Sequence, residues 1–209
     1  MRRAGRRAAV LAAGYLAGAV PFAQIGAARR GGVDLRHVGN GTVSGTGLYR
    51  VAGFRALAAY GILEVAKGAV GPALAAHREG RSSALAAATA GAAVVGHNWS
   101  PFLRGAGGRG VAPAMGALLV TAPLGAAVLA TGLGMGKWAG ETAIGCAAAD
   151  VALLPVLRRA GDRAHVRAGA AVLAPIVIKR LVGNAPPVRR SAGVYLLRLL
   201  LDRDAWVEA

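Results

Sequence analysis

Lys67 follows Glu64 by three residues inside an otherwise uncharged apolar run, and a glycine-rich segment bearing arginines lies on either side of that run. The first segment reads DLRHVGNGTVSGTGLYR, Asp34 to Arg50; the second reads GHNWSPFLRGAGGRGVAP, Gly96 to Pro113. Residues three apart share a helix face, so Glu64 and Lys67 can neutralise each other. Ionisable groups inside a membrane span usually face the bundle interior or a polar cavity. The pair therefore reads either as a structural ion pair or as a lysine presented to a phosphate and oriented by Glu64. Gly105, Gly107, Gly108 and Gly110 surround Arg109, so backbone N–H groups can approach an anion that the guanidinium grips. His97 and Asn98 stand at the end of an apolar run just before this loop, as terminal structural residues or as part of the same site.

Other chemistries are excluded by spacing. Gly39, Gly41 and Gly45 resemble a dinucleotide loop, but they follow an apolar helix rather than a strand. The four histidines, His37, His77, His97 and His165, are scattered without paired spacing, so no metal site is predicted. Cys146 is the lone cysteine, which removes disulfides and cysteine metal sites. No Ser-His-Asp triad assembles, and the His-x4-Asp motif of many membrane acyltransferases fails because Phe102 stands five residues after His97. Glu141 and Asp150, nine apart, do not share a helix face and read as structural or rim residues.

These groups need apolar helices to position them. Ala8–Ala28, Ala56–Ala76, Ala84–Leu103, Val111–Leu133 and Trp138–Leu157 are each close to the ~20 residues that cross a bilayer as a helix. Ala168–Ile178 and Ser191–Leu201 are shorter, and read as interfacial helices, packed half-helices or further spans. The expected fold is an all-α integral membrane protein with a bundle of five to seven transmembrane helices, forming a single polytopic domain. The basic N-terminus and the run after it could serve as a signal peptide, but four later spans favour a retained first helix. The glycines up to Gly47 argue against regular helix in the segment from Arg29 to Arg55.

The net charge of +16 comes from 22 arginines and 3 lysines against 9 acidic residues. The arginines sit at span ends rather than along one stripe, which suits a charged membrane edge and excludes nucleic acid as the partner. With the N-terminus outside, more basic residues fall in the loops of the inner side than on the outer side. The basic N-terminus opposes that orientation, so charge alone leaves it open. In either orientation the two glycine-arginine loops fall on one side, because an even number of crossings separates them.

Taken together, the segments resemble the bacterial acyl-phosphate-dependent glycerol-3-phosphate acyltransferases, the PlsY family. AGAVPFAQ (Ala17–Gln24) is similar to that family's GSIPFGY. The first loop aligns on DIRxxGSGNxGATNxxR, keeping Asp34, Arg36, Gly39, Gly41, Thr46 and Arg50. EVAKG resembles DxxKG with Glu64 for Asp, and the second loop resembles GHNFPxFLKFKGGKGVAT. The resemblance implies a seven-helix fold with its motifs facing the cytoplasm of a bacterial inner membrane. It implies acyl transfer from acyl phosphate to glycerol 3-phosphate, giving lysophosphatidate for phospholipid synthesis without metal, coenzyme A or other cofactor. Carried over residue by residue, it assigns Lys67, His97 and Arg50 to catalysis. It assigns Asn40, Gly41, Thr46, Asn98, Gly107, Gly108, Arg109 and Gly110 to substrate binding.

The chain departs from the family pattern at several polar positions. Asn40, Thr42 and Gly47 replace Ser, Asn and Asn; Ala106 and Arg109 replace lysines; Pro113 replaces Thr. A VSLxS motif has no clean match in WAGETA (Trp138–Ala143), where Thr142 alone offers a hydroxyl. In APIVIKRLVGN (Ala174–Asn184), Ala174, Pro175 and Val177 replace His, Arg and Asn, while Arg180 and Leu181 remain. Each hydrogen bond to a charged ligand is worth roughly 1.5–3 kcal/mol. Two alternatives stand beside the transferase: a catalytically impaired relative binding a phosphate-bearing lipid or a partner, suggested by the missing polar groups, and a small membrane transporter, suggested by Glu64 and Lys67 within a span.

Overall fold

The computed structural model describes residues 2–187 and 189–204. Nine α-helices and no strands occur among them: α1 Arg2–Ala19, α2 Phe22–Gly31, α3 Gly45–Glu79, α4 Ala84–Asn98, α5 Val111–Thr121, α6 Pro123–Trp138, α7 Thr142–Arg159, α8 Arg163–Val182 and α9 Ala192–Leu201. Side-chain caps fix several helix starts by accepting otherwise orphaned N–H groups. Ser44 accepts from Gly47, Ser83 from Ala86, Asp162 from Ala164 and Ser191 from Val194.

The apolar runs fold as helices with several boundaries moved. The run 8–28 is interrupted at Val20 and Pro21, because proline has no N–H to continue the ladder. The run 111–133 divides at Ala122 and Pro123 into α5 and α6 for the same reason. α4 ends at Asn98, short of Leu103, and a 3-10 turn covers Pro101–Leu103. Helix α3 begins at Gly45 despite its glycines, since Ser44 caps it and Leu48 is fully buried; the irregularity concentrates in a kink at Gly53, with φ 75°. The run 168–178 lies within α8, whose 20 residues extend ~30 Å at 1.5 Å per residue. By length and apolarity together, Arg3–Gly31 and Gly45–Glu79 each suffice to cross a bilayer.

Helix α4 lies at the centre and packs against α1, α3, α5 and α8. Its core face, Ala87, Ala90 and Val94, meets Ala114, Ala117 and Leu118 of α5 and Val172 and Ile176 of α8. Small residues let the helix backbones approach closely, as in other membrane bundles. A Cβ added at Gly116 of α5 would lie 1.8 Å from the Val65 carbonyl oxygen of α3, and one at Gly68 would lie 1.9 Å from that of Pro113. Gly116→Ala is therefore expected to cost about 1–3 kcal/mol through overpacking. An alanine at Gly134, where an added Cβ meets open space, serves as the control. Equal thermal unfolding of the two variants in detergent would refute the close approach.

Candidate active site

The interruption between α1 and α2 leaves backbone groups without helical partners, and the polar residues of the apolar runs converge on it. Ser100 Oγ donates to the Ala19 carbonyl at 2.7 Å, and Lys67 Nζ donates to the Val20 carbonyl at 2.6 Å. The Ala23 N–H donates to Glu64 Oε1 at 2.8 Å. The other carboxylate oxygen of Glu64 lies 2.7 Å from Lys67 Nζ and 3.2 Å from His97 Nδ1. The Glu64 and Lys67 side chains are only 4% and 3% exposed, so each charge depends on the other for compensation. Lys67 thus serves the framework directly: it binds a main-chain carbonyl and the carboxylate that faces His97.

The second glycine loop lies on the opposite edge of the imidazole. A Cβ added at Gly108 would fall 2.1 Å from His97 Nε2 and 2.6 Å from the Val43 carbonyl oxygen. Glycine alone permits this approach. The Gly108 N–H donates to the His97 carbonyl at 3.3 Å, and the Val43 N–H donates to the Gly107 carbonyl at 3.1 Å. Asn184, just beyond α8, joins both glycine loops. Its amide donates to the carbonyls of Gly41 and Gly107, each at 2.8 Å, and accepts from the Gly107 N–H at 3.1 Å. Asn98 donates to the Pro175 carbonyl at 2.8 Å and so ties α4 to α8.

Arg109 is largely buried, donates to the Lys179 carbonyl at 3.2 Å, and forms an ion pair with Asp202. Burial lowers its pKa, opposed by the Asp202 carboxylate. Lys179 is buried with its ammonium 5.1 Å from the Trp99 ring centroid, and it lies within electrostatic reach of His97 and Arg109. Deeper in the bundle, Arg180 Nε lies 3.3 Å from Asp150. At the first loop, the side-chain hydrogen bond from Arg36 holds the Asp34 carboxyl down to about 2. This Asp-x-Arg pair caps the 3-10 turn Leu35–His37, which Gln24 anchors by accepting from the Leu35 N–H at 2.9 Å.

Of the residues expected from sequence, Lys67 and His97 meet around Glu64, with Gly108 against the edge of the histidine ring and Gly107 against the His97 and Asn98 carbonyls, while the Arg109 side chain turns to Asp202 and the Lys179 carbonyl. Gly110 has φ 83° and starts α5, close to Asn98. Gly41 is held through Asn184, while Asn40 donates to the carbonyl and carboxylate oxygens of Asp202 at 2.7 and 3.3 Å. Thr46 and Arg50 lie exposed on the first turns of α3, and no described hydrogen bond or ion pair joins Arg50 to the cluster. Three residues were missed: Asn184, Lys179 and Asp202. The Gly-Asn pair closing RLVGN was the available signal for Asn184, and nothing near Asp202 in the chain points to Arg109.

The chain has relatives among known proteins. The family model described as glycerol-3-phosphate acyltransferase matches residues 8–185. Glycerol-3-phosphate acyltransferase 5 of Dehalococcoides mccartyi is 40% identical over 131 residues, covering 59% of this chain and 53% of that protein. The glycerol-3-phosphate acyltransferase of Thermus thermophilus is 41% identical over 110 residues, covering 53% of this chain and 54% of its own. The chain thus spans about half the length of the curated relatives it matches. The crystal structure of PlsY (YgiH), an integral membrane glycerol 3-phosphate acyltransferase, in its glycerol 3-phosphate form, superposes with a TM-score of 0.75. That match is 25% identical and covers 92% of this chain and 98% of the other. The lysophosphatidic acid form gives 0.73 at 23% identity over 84% and 88% of the two chains, a likeness of fold.

Proposed function

From the premise that the chain belongs to the glycerol-3-phosphate acyltransferase family, as an all-α integral membrane protein, we propose that it transfers a fatty acyl group from acyl phosphate to glycerol 3-phosphate. The products are lysophosphatidate and inorganic phosphate, and the setting is a bacterial inner membrane. The observation that carries this reading is the Lys67–Glu64–His97 cluster packed against the glycine loop that presents Arg109.

In this reaction the acceptor hydroxyl oxygen forms a bond to the acyl carbon, and the bond from that carbon to the phosphate oxygen breaks. The electron pair leaves on phosphate, which also takes the hydroxyl proton. The donor is already activated, so the protein contributes chiefly position and charge. Glu64 orients the imidazole, whose Nε2 edge faces the Gly107–Gly110 loop. Arg109 holds a phosphate at that loop, and the exposed Arg50 meets the second phosphate at the entrance. Asn40 supplies a further donor, while the acyl chain lies in the bilayer. Glu64 and Lys67, which on sequence alone also suited a transporter, are accounted for by the backbone groups they satisfy at the α1–α2 interruption.

The test is phosphate release from palmitoyl phosphate by the full chain in lipid, with and without glycerol 3-phosphate, beside His97→Ala. Acceptor-dependent release is expected from the parent protein. The variant should lose it by about 10²-fold or more, as for a residue that positions a reacting group. A folded parent protein that releases no phosphate would sink the enzyme reading and leave a binder of phosphate-bearing lipid.

A further inference from the structure

Arg109 already holds an anion in this structure, and the anion belongs to the protein. Helix α9 ends at Asp202, whose left-handed backbone (φ 58°) turns the chain back toward the two glycine loops. There the Asp202 carboxylate pairs with Arg109, and Asn40 donates to its carbonyl and carboxylate oxygens. The next residue, Arg203, pairs with Glu141 between α6 and α7. Helix α9 is fastened independently: Arg198 donates to the carbonyls of Leu181, Val182 and Ala185 at 3.0, 2.9 and 3.1 Å, and pairs with Asp204 at 2.5 Å. The contacts of Arg198 with the end of α8 do not involve Asp202, so release of the Asp202 side chain from Arg109 need not detach α9.

We propose that Asp202 is a specificity-determining residue, a tethered carboxylate that competes with the substrate phosphate for Arg109 and Asn40. The inference rests on the reading that Arg109 receives a phosphate. A tethered group acts at a high effective concentration, so an untethered anion making the same contacts does not displace it. A phosphate dianion carries more charge than the carboxylate. Besides Arg109, the buried Lys179, for which no anionic partner is described, lies within electrostatic reach and adds positive charge that favours a dianion. The contact would thus admit phosphate monoesters and exclude singly charged carboxylates.

The test measures binding of inorganic phosphate and of acetate to the full chain in lipid, for the parent protein, Asp202→Asn and Asp202→Ala. Asparagine tolerates the left-handed backbone, so the first variant removes the charge with little strain. Both variants should bind phosphate about tenfold more tightly, the equivalent of ~1.4 kcal/mol, and should bind acetate where the parent does not. In the parent protein, phosphate should raise amide hydrogen exchange in the segment 199–204. Unchanged or weaker phosphate binding in both variants, or reduced exchange on adding phosphate, would overturn the proposal and make the contact structural. Acyl transfer is assayed on the same samples. Tighter phosphate binding without transfer would support the competing anion and sink the transferase. Transfer without tighter binding would do the reverse.

Discussion

Glu64→Ala is expected to destabilise the protein more than any other single substitution considered, by about 3–5 kcal/mol, the usual cost of removing one partner from a buried ion pair. The carboxylate is the one described anion facing both Lys67 and His97, and its other oxygen accepts the Ala23 N–H at the helix interruption. Its removal leaves the ammonium buried without a counter-charge and the N–H without an acceptor. For a chain of about this length that corresponds to a fall in melting temperature of roughly 6–20 °C. The measurement is thermal unfolding of the purified protein in one fixed detergent, with intact secondary structure checked at low temperature. A melting curve that superposes on the parent's would disprove the role assigned to Glu64. The double variant Glu64→Gln with Lys67→Met should recover part of the loss, because both charges leave together. That recovery separates the ion pair from the simple effect of changing α3.

Gly108→Ala should instead abolish activity while leaving most of the fold in place. Its methyl group would stand 2.1 Å from His97 Nε2, at the edge of the ring that faces the Arg109 loop. Either the imidazole rotates away from Glu64 or the loop lifts from it, and both displace groups by about an ångström. A misplacement of that size can cost about 10²-fold in rate. Phosphate release with saturating acceptor should therefore fall by that factor or more, with a smaller change in melting temperature than for Glu64→Ala. Release at the parent rate would mean that the contact between His97 and Gly108 is irrelevant to turnover. A loss of activity and melting temperature together, as large as for Glu64→Ala, would mark Gly108 as a packing residue only.

The helical, membrane-embedded class was legible from the chain because apolar runs of this length have few other ways to satisfy their backbone. The pairing of Glu64 with Lys67 was legible because helical periodicity alone puts positions three apart on one face. The glycines around Arg109 marked a close backbone approach, and the structure supplies its object: the His97 ring on one side and the Val43 carbonyl on the other. The order of the three motifs was enough to suggest the family. It was not enough to give Lys67 its partners, since the Val20 carbonyl becomes available only where Pro21 interrupts the first helix.

Boundaries and long-range partners were decided by packing. Gly45 and Gly47 argue locally against a helix, yet the Ser44 cap and the burial of Leu48 outweigh them. The run 168–178 extends to a 20-residue helix because Arg163 and Arg167 at its N-terminal end are exposed, while the buried Arg180 at its other end faces Asp150. Asn184 gains its role by reaching Gly41 across 143 positions and Gly107 across 77, and Asp202 meets Arg109 across 93. Composition and periodicity thus determined what kind of solvent this chain folds in and which residues carry charge into it. Which charges face one another depends on how helices far apart in the chain pack, and local periodicity carries no information about that.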